Sequence, residues 1–307
     1  MTQHTEIVGG LEFPEGPIAM PDGSVVLVEM MGERLTRVRP DGTTSTVAEV
    51  PGGPNGAAVG PDGAIYVCNN GRAATRAEIG GKVVPGRFDP NRYIGGRIQR
   101  VDPRSGAVTD LYTECDGRPL RAPNDLVMDG HGGFWFTDHG IRDHAARCAD
   151  LTAIYYAKVD GSAIREVVFP VEGANGIGLS PDGDVLYYAE TYTGRVFRRA
   201  IEHAGVLTKL VPLDQSHVLC GLPGMQLLDS LAVDGDGNVC VATIFNGGIT
   251  VISPDGSRVD HVPTDDFLTT NICFGGDDMS TAYITLSSSG RLVSIPWRCE
   301  GLRLAHQ

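Results

Sequence analysis

Six oxygen-bearing side chains recur at one fixed offset: Glu15, Asn55, Asn124, Asn175, Asp229 and Asn271. Each stands seven residues ahead of a turn position, at Asp22, Asp62, His131, Asp182, Asp236 and Asp278 respectively. Asn and Asp cap turns in any protein, but that habit does not place all six at one distance from a second landmark. Two carboxylates and four amides suit a hard divalent cation. Calcium accepts neutral amide oxygens at about 2.3–2.6 Å and tolerates water in its remaining positions. One ion is expected, Ca²⁺ ahead of Mg²⁺, Mn²⁺ and Zn²⁺. Zinc favours His and Cys ligands, and the chain has neither HExxH nor CxxC.

The elements that must position these residues follow from the turns. Pro21-Asp22-Gly23, Pro61-Asp62-Gly63 and Pro181-Asp182-Gly183 each precede a β-branched or aromatic run, SVVLVE, AIYVCN and DVLYYAE. These are hairpins. A second set of turns, such as Pro40-Asp41-Gly42 and Pro254-Asp255-Gly256, lies between them, giving about four strands per unit. Six four-stranded units predict an all-β fold, a six-bladed β-propeller forming one domain over residues 1–307. No long 3.6-residue apolar stripe argues for helices. In a propeller the innermost strands line a central channel, so the six residues should converge on its axis.

Composition excludes other classes. With 25 Lys+Arg against 38 Asp+Glu the net charge is −13, which should repel nucleic acid and anionic membranes. No apolar run reaches the ~18 residues of a membrane span. The first ten residues show no basic segment followed by an apolar one. The seven scattered cysteines read as reduced thiols, so a cytoplasmic protein is expected, a monomer by default. No GxSxG elbow supports a serine hydrolase.

Phe13-Pro14-Glu15-Gly16-Pro17, Ala122-Pro123-Asn124-Asp125-Leu126, Gly173-Ala174-Asn175-Gly176-Ile177 and Leu228-Asp229-Ser230-Leu231 resemble the SMP-30/gluconolactonase/LRE-like family, over residues 6 to 295. The resemblance implies a six-bladed propeller with one divalent metal, often calcium, and hydrolysis of a sugar lactone. It implies Glu15, Asn175 and Asp229 as metal ligands, with Asn124 a fourth ligand or a substrate-binding amide. Arg121 stands three residues before Asn124, where the family often places an arginine nearby. The ion would polarise the lactone carbonyl while Asp229 activates water, or attacks as a nucleophile itself. Asn55 and Asn271, which belong to the ring by their spacing, would ligate the ion directly, support its ligands or contact substrate. An ester or phosphotriester hydrolase on the same ion, a member recruited to biosynthesis and a non-catalytic binding propeller are the alternatives.

If each first strand leaves the site, the second returns to it. Glu29, Asn69, Asp138, Glu190 and Thr243 should then rim the mouth, and Asn69, Asp138, His139 and Glu190 are expected to touch substrate. Two connections there are long. Residues 70–96 carry Arg72, Arg76, Lys82, Arg87, Arg92 and Tyr93, and residues 139–150 carry Arg142, His144 and Arg147. Long loops in compact domains are usually lids or binding loops. Their basic residues suggest an anionic or polyhydroxylated small molecule, a lactone of a polyhydroxylated acid.

Overall fold

A computed structural model describes residues 4–211 and 213–307; residues 1–3, part of the N-terminal segment considered above, and Pro212 lie outside them. Every regular element among the described residues is a strand. Six antiparallel sheets stand in a ring. Their innermost strands are Pro14–Ala19, Pro54–Val59, Pro123–Met128, Ala174–Leu179, Leu227–Val233 and Thr269–Gly275. The blades are numbered here in that order. The ring closes because Thr5–Val8 pairs with Arg291–Pro296, becoming the outer strand of the sixth blade before the chain enters the first. No helix of the described residues is long and apolar enough to cross a membrane.

The chain makes these strands because each blade is buried on both faces by its neighbours. Middle strands such as Val25–Glu29 and Gly133–Asp138 are buried throughout and read as continuous apolar runs. Outer strands such as Val259–Pro263 alternate exposed and half-buried residues with the period of two that a one-sided strand requires. Six apolar cores fill the gaps between successive blades. One joins Val26, Val28 and Leu35 of the first blade to Ile65 and Val67 of the second. Another joins Tyr66 and Ile98 to Phe134 and Phe136. Trp135 packs edge-on against Tyr156 in the next, with ring centres 4.9 Å apart.

Near the axis there is no room for side chains between inner strands. A Cβ on Gly16 would lie 2.4 Å from the carbonyl oxygen of Asn55, and one on Gly176 would lie 2.4 Å from the amide of Leu231. Each of these glycines follows a ring residue, so the ring side chains project from strands in backbone contact.

Candidate active site

Pairing within each blade slips where the inner strand reaches the axis. Register shifts fall at Glu15/Ile18, Pro54/Ala57, Pro123/Leu126, Ala174/Ile177, Leu228/Leu231 and Thr269/Asn271. A bulge re-aims side chains that strict alternation would send into the blade. All six ring residues are buried. Glu15, Asn55, Asn124, Asn175 and Asp229 line one cavity of about 560 Å³ that opens at the mouth of the channel. Asn271 borders a smaller void on the other side of the ring. Its Oδ1 accepts from the Ile272 amide at 2.8 Å, and its Nδ2 donates to Glu15 Oε2 at 3.2 Å.

The ring is short of positive charge and of donors. Asn55, Asn124 and Asn175 each carry a buried Oδ1 without a hydrogen-bond partner. The nitrogens of two are used elsewhere: Asn175 Nδ2 donates to Thr191 Oγ1 at 3.1 Å, and Asn55 Nδ2 to Met30 Sδ at 3.7 Å. Leaving a buried acceptor unmet costs ~1–3 kcal/mol each. Burial, and then the charge of Asp229, holds the Glu15 carboxyl well above the usual range. Burial raises Asp229 to about 7, with Asp125 adding to the rise and a hydrogen bond from Asn175 opposing it. Asp125, beside Asn124, is buried and likewise lifted to about 7 by burial. Two clustered carboxylates and open amide oxygens are what a divalent cation would satisfy. Among the described residues, no three His, Cys, Asp or Glu side chains gather as a metal cluster, so the set is one of mixed carboxylate and amide oxygens.

Residues 13–288 match the SMP-30/Gluconolactonase/LRE-like region. The chain belongs to the SMP-30/gluconolactonase/LRE-like family. Lactonase drp35 of Staphylococcus epidermidis is 26% identical over 243 residues, covering 78% of this chain and 66% of its own length. Lactonase drp35 of Staphylococcus aureus strain USA300 is 31% identical over 139 residues, 45% of this chain and 41% of its own. The matches thus span about two thirds or less of these relatives. A gluconolactonase from Xanthomonas campestris superposes with a TM-score of 0.73 at 23% identity, over 95% of this chain and 88% of that one. Regucalcin from Agrobacterium tumefaciens, described as a calcium-binding protein, superposes with a TM-score of 0.74 at 17% identity, over 99% and 98%. At these identities the likeness is one of fold, the six-bladed propeller.

In this member of the SMP-30/gluconolactonase/LRE-like family the second-strand ends do not line the cavity. Glu29, Asn69, Asp138 and Glu190 stand opposite Pro14, Pro54, Pro123 and Ala174, each the residue just before a ring residue. They bind the chain as it approaches the axis. Glu29 Oε2 accepts from the Glu12 amide at 2.7 Å, and the two oxygens of Asp138 accept from the Arg121 and Ala122 amides at 2.7 Å. Glu190 accepts from the Glu172 amide at 3.2 Å, while Asn69 donates to the Pro51 carbonyl at 2.9 Å. Thr243 is buried and hydrogen-bonded to Thr250 at 2.7 Å. The rim expectation for Asn69, Asp138 and Glu190 is corrected accordingly. They lie outside the cavity lining: backbone groups occupy their polar atoms, joined by the Gln99 side chain at Asn69 and the Thr193 hydroxyl at Glu190.

Arg121 also lies outside the cavity lining. Its Nε donates to Asp150 Oδ2 at 2.8 Å, its guanidinium sits 5.7 Å from the Tyr93 ring centre, and its carbonyl accepts from the Tyr93 hydroxyl at 2.5 Å. It ties the two long connections together. His139 does face the cavity, edge-on to Tyr192 at 5.3 Å, with its pKa lowered by burial. The basic residues of the connections are dispersed: Arg72 pairs with Glu33 at 2.5 Å and Arg76 with Glu78 at 2.9 Å, while Arg87, Arg142 and His144 reach the cavity. Sequence reasoning missed Asp125, which falls outside the seven-residue ruler; its place beside Asn124 was the available signal. It also missed Tyr192 and the apolar residues Phe245 and Phe267, which come from turns carrying no motif.

Proposed function

We propose that the chain is a metal-dependent lactonase whose ion, Ca²⁺ before other divalent cations, is held by Glu15, Asn124, Asn175 and Asp229. The observation that carries this is the set of buried amide oxygens without partners beside two carboxylates raised chiefly by burial, Glu15 further by the charge of Asp229 and Asp229 by that of Asp125. Membership of the family and the lactonase relatives support the reaction class. When bound, the cation would polarise the carbonyl of a cyclic ester and stabilise the charge that develops on its oxygen.

The protein's own groups do the rest. Asp229 takes the proton of the attacking water as the new C–O bond forms. It returns a proton to the ring oxygen as the acyl–oxygen bond breaks, and one hydroxy acid leaves. Asn271 holds Glu15 in place through its 3.2 Å hydrogen bond. The open Oδ1 of Asn55 faces the same cavity and orients substrate. The acidic surface and seven free cysteines support a cytoplasmic protein acting on a small molecule.

The test is elemental analysis joined to a pH-indicator screen of lactones with and without chelator. About one ion per chain and chelator-sensitive acid release are expected, and Asp229→Asn should lower kcat about 10²–10⁴-fold with the fold intact by circular dichroism. Lactone turnover indifferent to both chelator and Asp229→Asn would sink the mechanism.

A further inference from the structure

The mouth above the ring is walled unevenly. On one side stand Arg142 and Tyr192, and there the charge is already answered: Arg142 binds Glu172 at 2.9 Å and lies 3.5 Å over the Tyr192 ring. The opposite wall is mostly hydrocarbon, made by Ile79, Val84 and Phe88 of the 70–96 connection and by Phe245, Phe267 and Leu268 of the fifth and sixth blades, with Arg87 beside Phe88 as its charged member. A polyhydroxylated ring would find few partners along it.

This wall is built, not a loop resting on the surface. Residues Arg76–Ile79 and Lys82–Pro85 form a hairpin. Val84 of that hairpin is buried against Phe13, Met30 and Leu268, and the Val83 amide donates to the Ser288 carbonyl at 3.0 Å. Beyond the buried contact two apolar side chains remain open to the cavity, Ile79 at 69% and Phe245 at 58% exposure. Phe245 holds φ at 67°, a left-handed conformation that costs a bulky residue free energy. Its ring stacks on Phe267 with the planes 3° apart and the centres 6.4 Å apart. An exposed aromatic in an unfavourable backbone state contributes little to the fold, so its use lies at the cavity.

We propose that this site takes a cyclic ester carrying an alkyl or other apolar substituent, and that Phe245 and Ile79 select it. The proposal rests on the lactonase reading and revises the expectation of a polyhydroxylated or anionic substrate. The reacting ring sits over Asp229 and Glu15, and the substituent lies along the apolar wall. Each methylene buried there should raise kcat/KM about fourfold.

The experiment uses the Ca²⁺-loaded protein and compares γ-butyrolactone, γ-hexalactone and γ-octalactone with glucono-δ-lactone. A rise in kcat/KM with chain length is expected. Phe245→Ser and Ile79→Ser should each flatten that rise, whereas Val259→Ser, on the outer strand of the fifth blade, should keep it. A flat series, or glucono-δ-lactone exceeding γ-octalactone, overturns the proposal. If no lactone is opened, calorimetry with the unreactive 5-alkyl-2-pyrrolidinones separates the two readings. Affinity rising with alkyl length then supports the apolar mouth while the lactonase reading fails. Affinity independent of length, or no binding, overturns the mouth as well.

Discussion

Asn271 Nδ2 donates to Glu15 Oε2 at 3.2 Å across 256 residues of sequence, joining the innermost strands of the last and first blades at the channel axis. The bond fixes the rotamer of a carboxylate that burial would otherwise penalise, and it opposes the rise in the Glu15 pKa. Groups that orient a metal ligand typically contribute 10–100-fold to metal affinity. Asn271→Ala should therefore weaken Ca²⁺ binding about 10–100-fold, and Glu15→Ala should abolish it, both read by calorimetric titration. Equal loss in the two variants would make Asn271 a ligand in its own right.

The ring carboxylates set a pH dependence in the metal-free protein. Asp229 is raised from its ordinary 3.8 to about 7 on folding. Its stabilising effect is complete below the ordinary value and is lost as pH rises through the folded one, so stability falls across that window. With chelator present, Tm should drop between about pH 4 and about pH 7, and excess Ca²⁺ should restore much of it at the upper end. Because a net charge of −13 also opposes the folded state at high pH, the comparison is with Asp229→Asn, whose drop should be smaller. Identical pH profiles for the two proteins would show that Asp229 ionises freely.

Arg121 makes a different kind of contribution. Through Asp150, the Tyr93 ring and its own carbonyl it binds the 70–96 and 139–150 connections to each other. Arg121→Ala should leave Tm nearly unchanged, since partly exposed ion pairs contribute about 0–1 kcal/mol. It should speed proteolysis within those two connections and raise KM more than it lowers kcat. A fall in kcat with KM unchanged would instead put the guanidinium at the reacting atoms.

Two phenylalanines separate fold from function. Phe134 is fully buried between the second and third blades, and Phe134→Ala should cost about 3–5 kcal/mol. Phe245→Asn removes an exposed ring, whose stacking is worth about 0.5–1.5 kcal/mol, and relieves a left-handed φ that Asn tolerates. The two effects nearly offset, so urea unfolding should register less than about 1 kcal/mol of change. A loss as large as that of Phe134→Ala would mean that Phe245 supports the fold.

The repeat was readable because its two landmarks are physical necessities. A tight turn such as Gly23, with φ of 79°, limits the residues that can occupy it, and the bulge at the axis fixes how far ahead the ring side chain must stand. Buried middle strands declare themselves as apolar runs, whereas alternating outer strands such as Thr44–Glu49 carry a weaker signal. The second-strand ends misled because an acid at a strand terminus looks the same whether it faces solvent, ligand or backbone. Asp138 faces backbone, and only the pairing with Pro123 reveals it. The arginines of the long connections misled in a similar way. Their charge is visible in sequence, but Glu33 lies 39 residues from Arg72 and Glu172 lies 30 from Arg142, separations no local pattern records; only Glu78, two residues from Arg76, is local.

The closure of the sixth blade by Thr5–Val8 has a temporal side. Glu15 is among the earliest parts of the site to leave the ribosome and Asn271 the last, with five blades made between them. Until Arg291–Pro296 has emerged, the opening strand has no edge to join, and the first blade stands exposed on the face its missing neighbour will cover. A nascent chain can therefore hold many finished blades and still have no binding centre. Premature termination near the end of synthesis should yield a mostly folded but inert product, a fate that an enzyme assembled from contiguous sequence would escape.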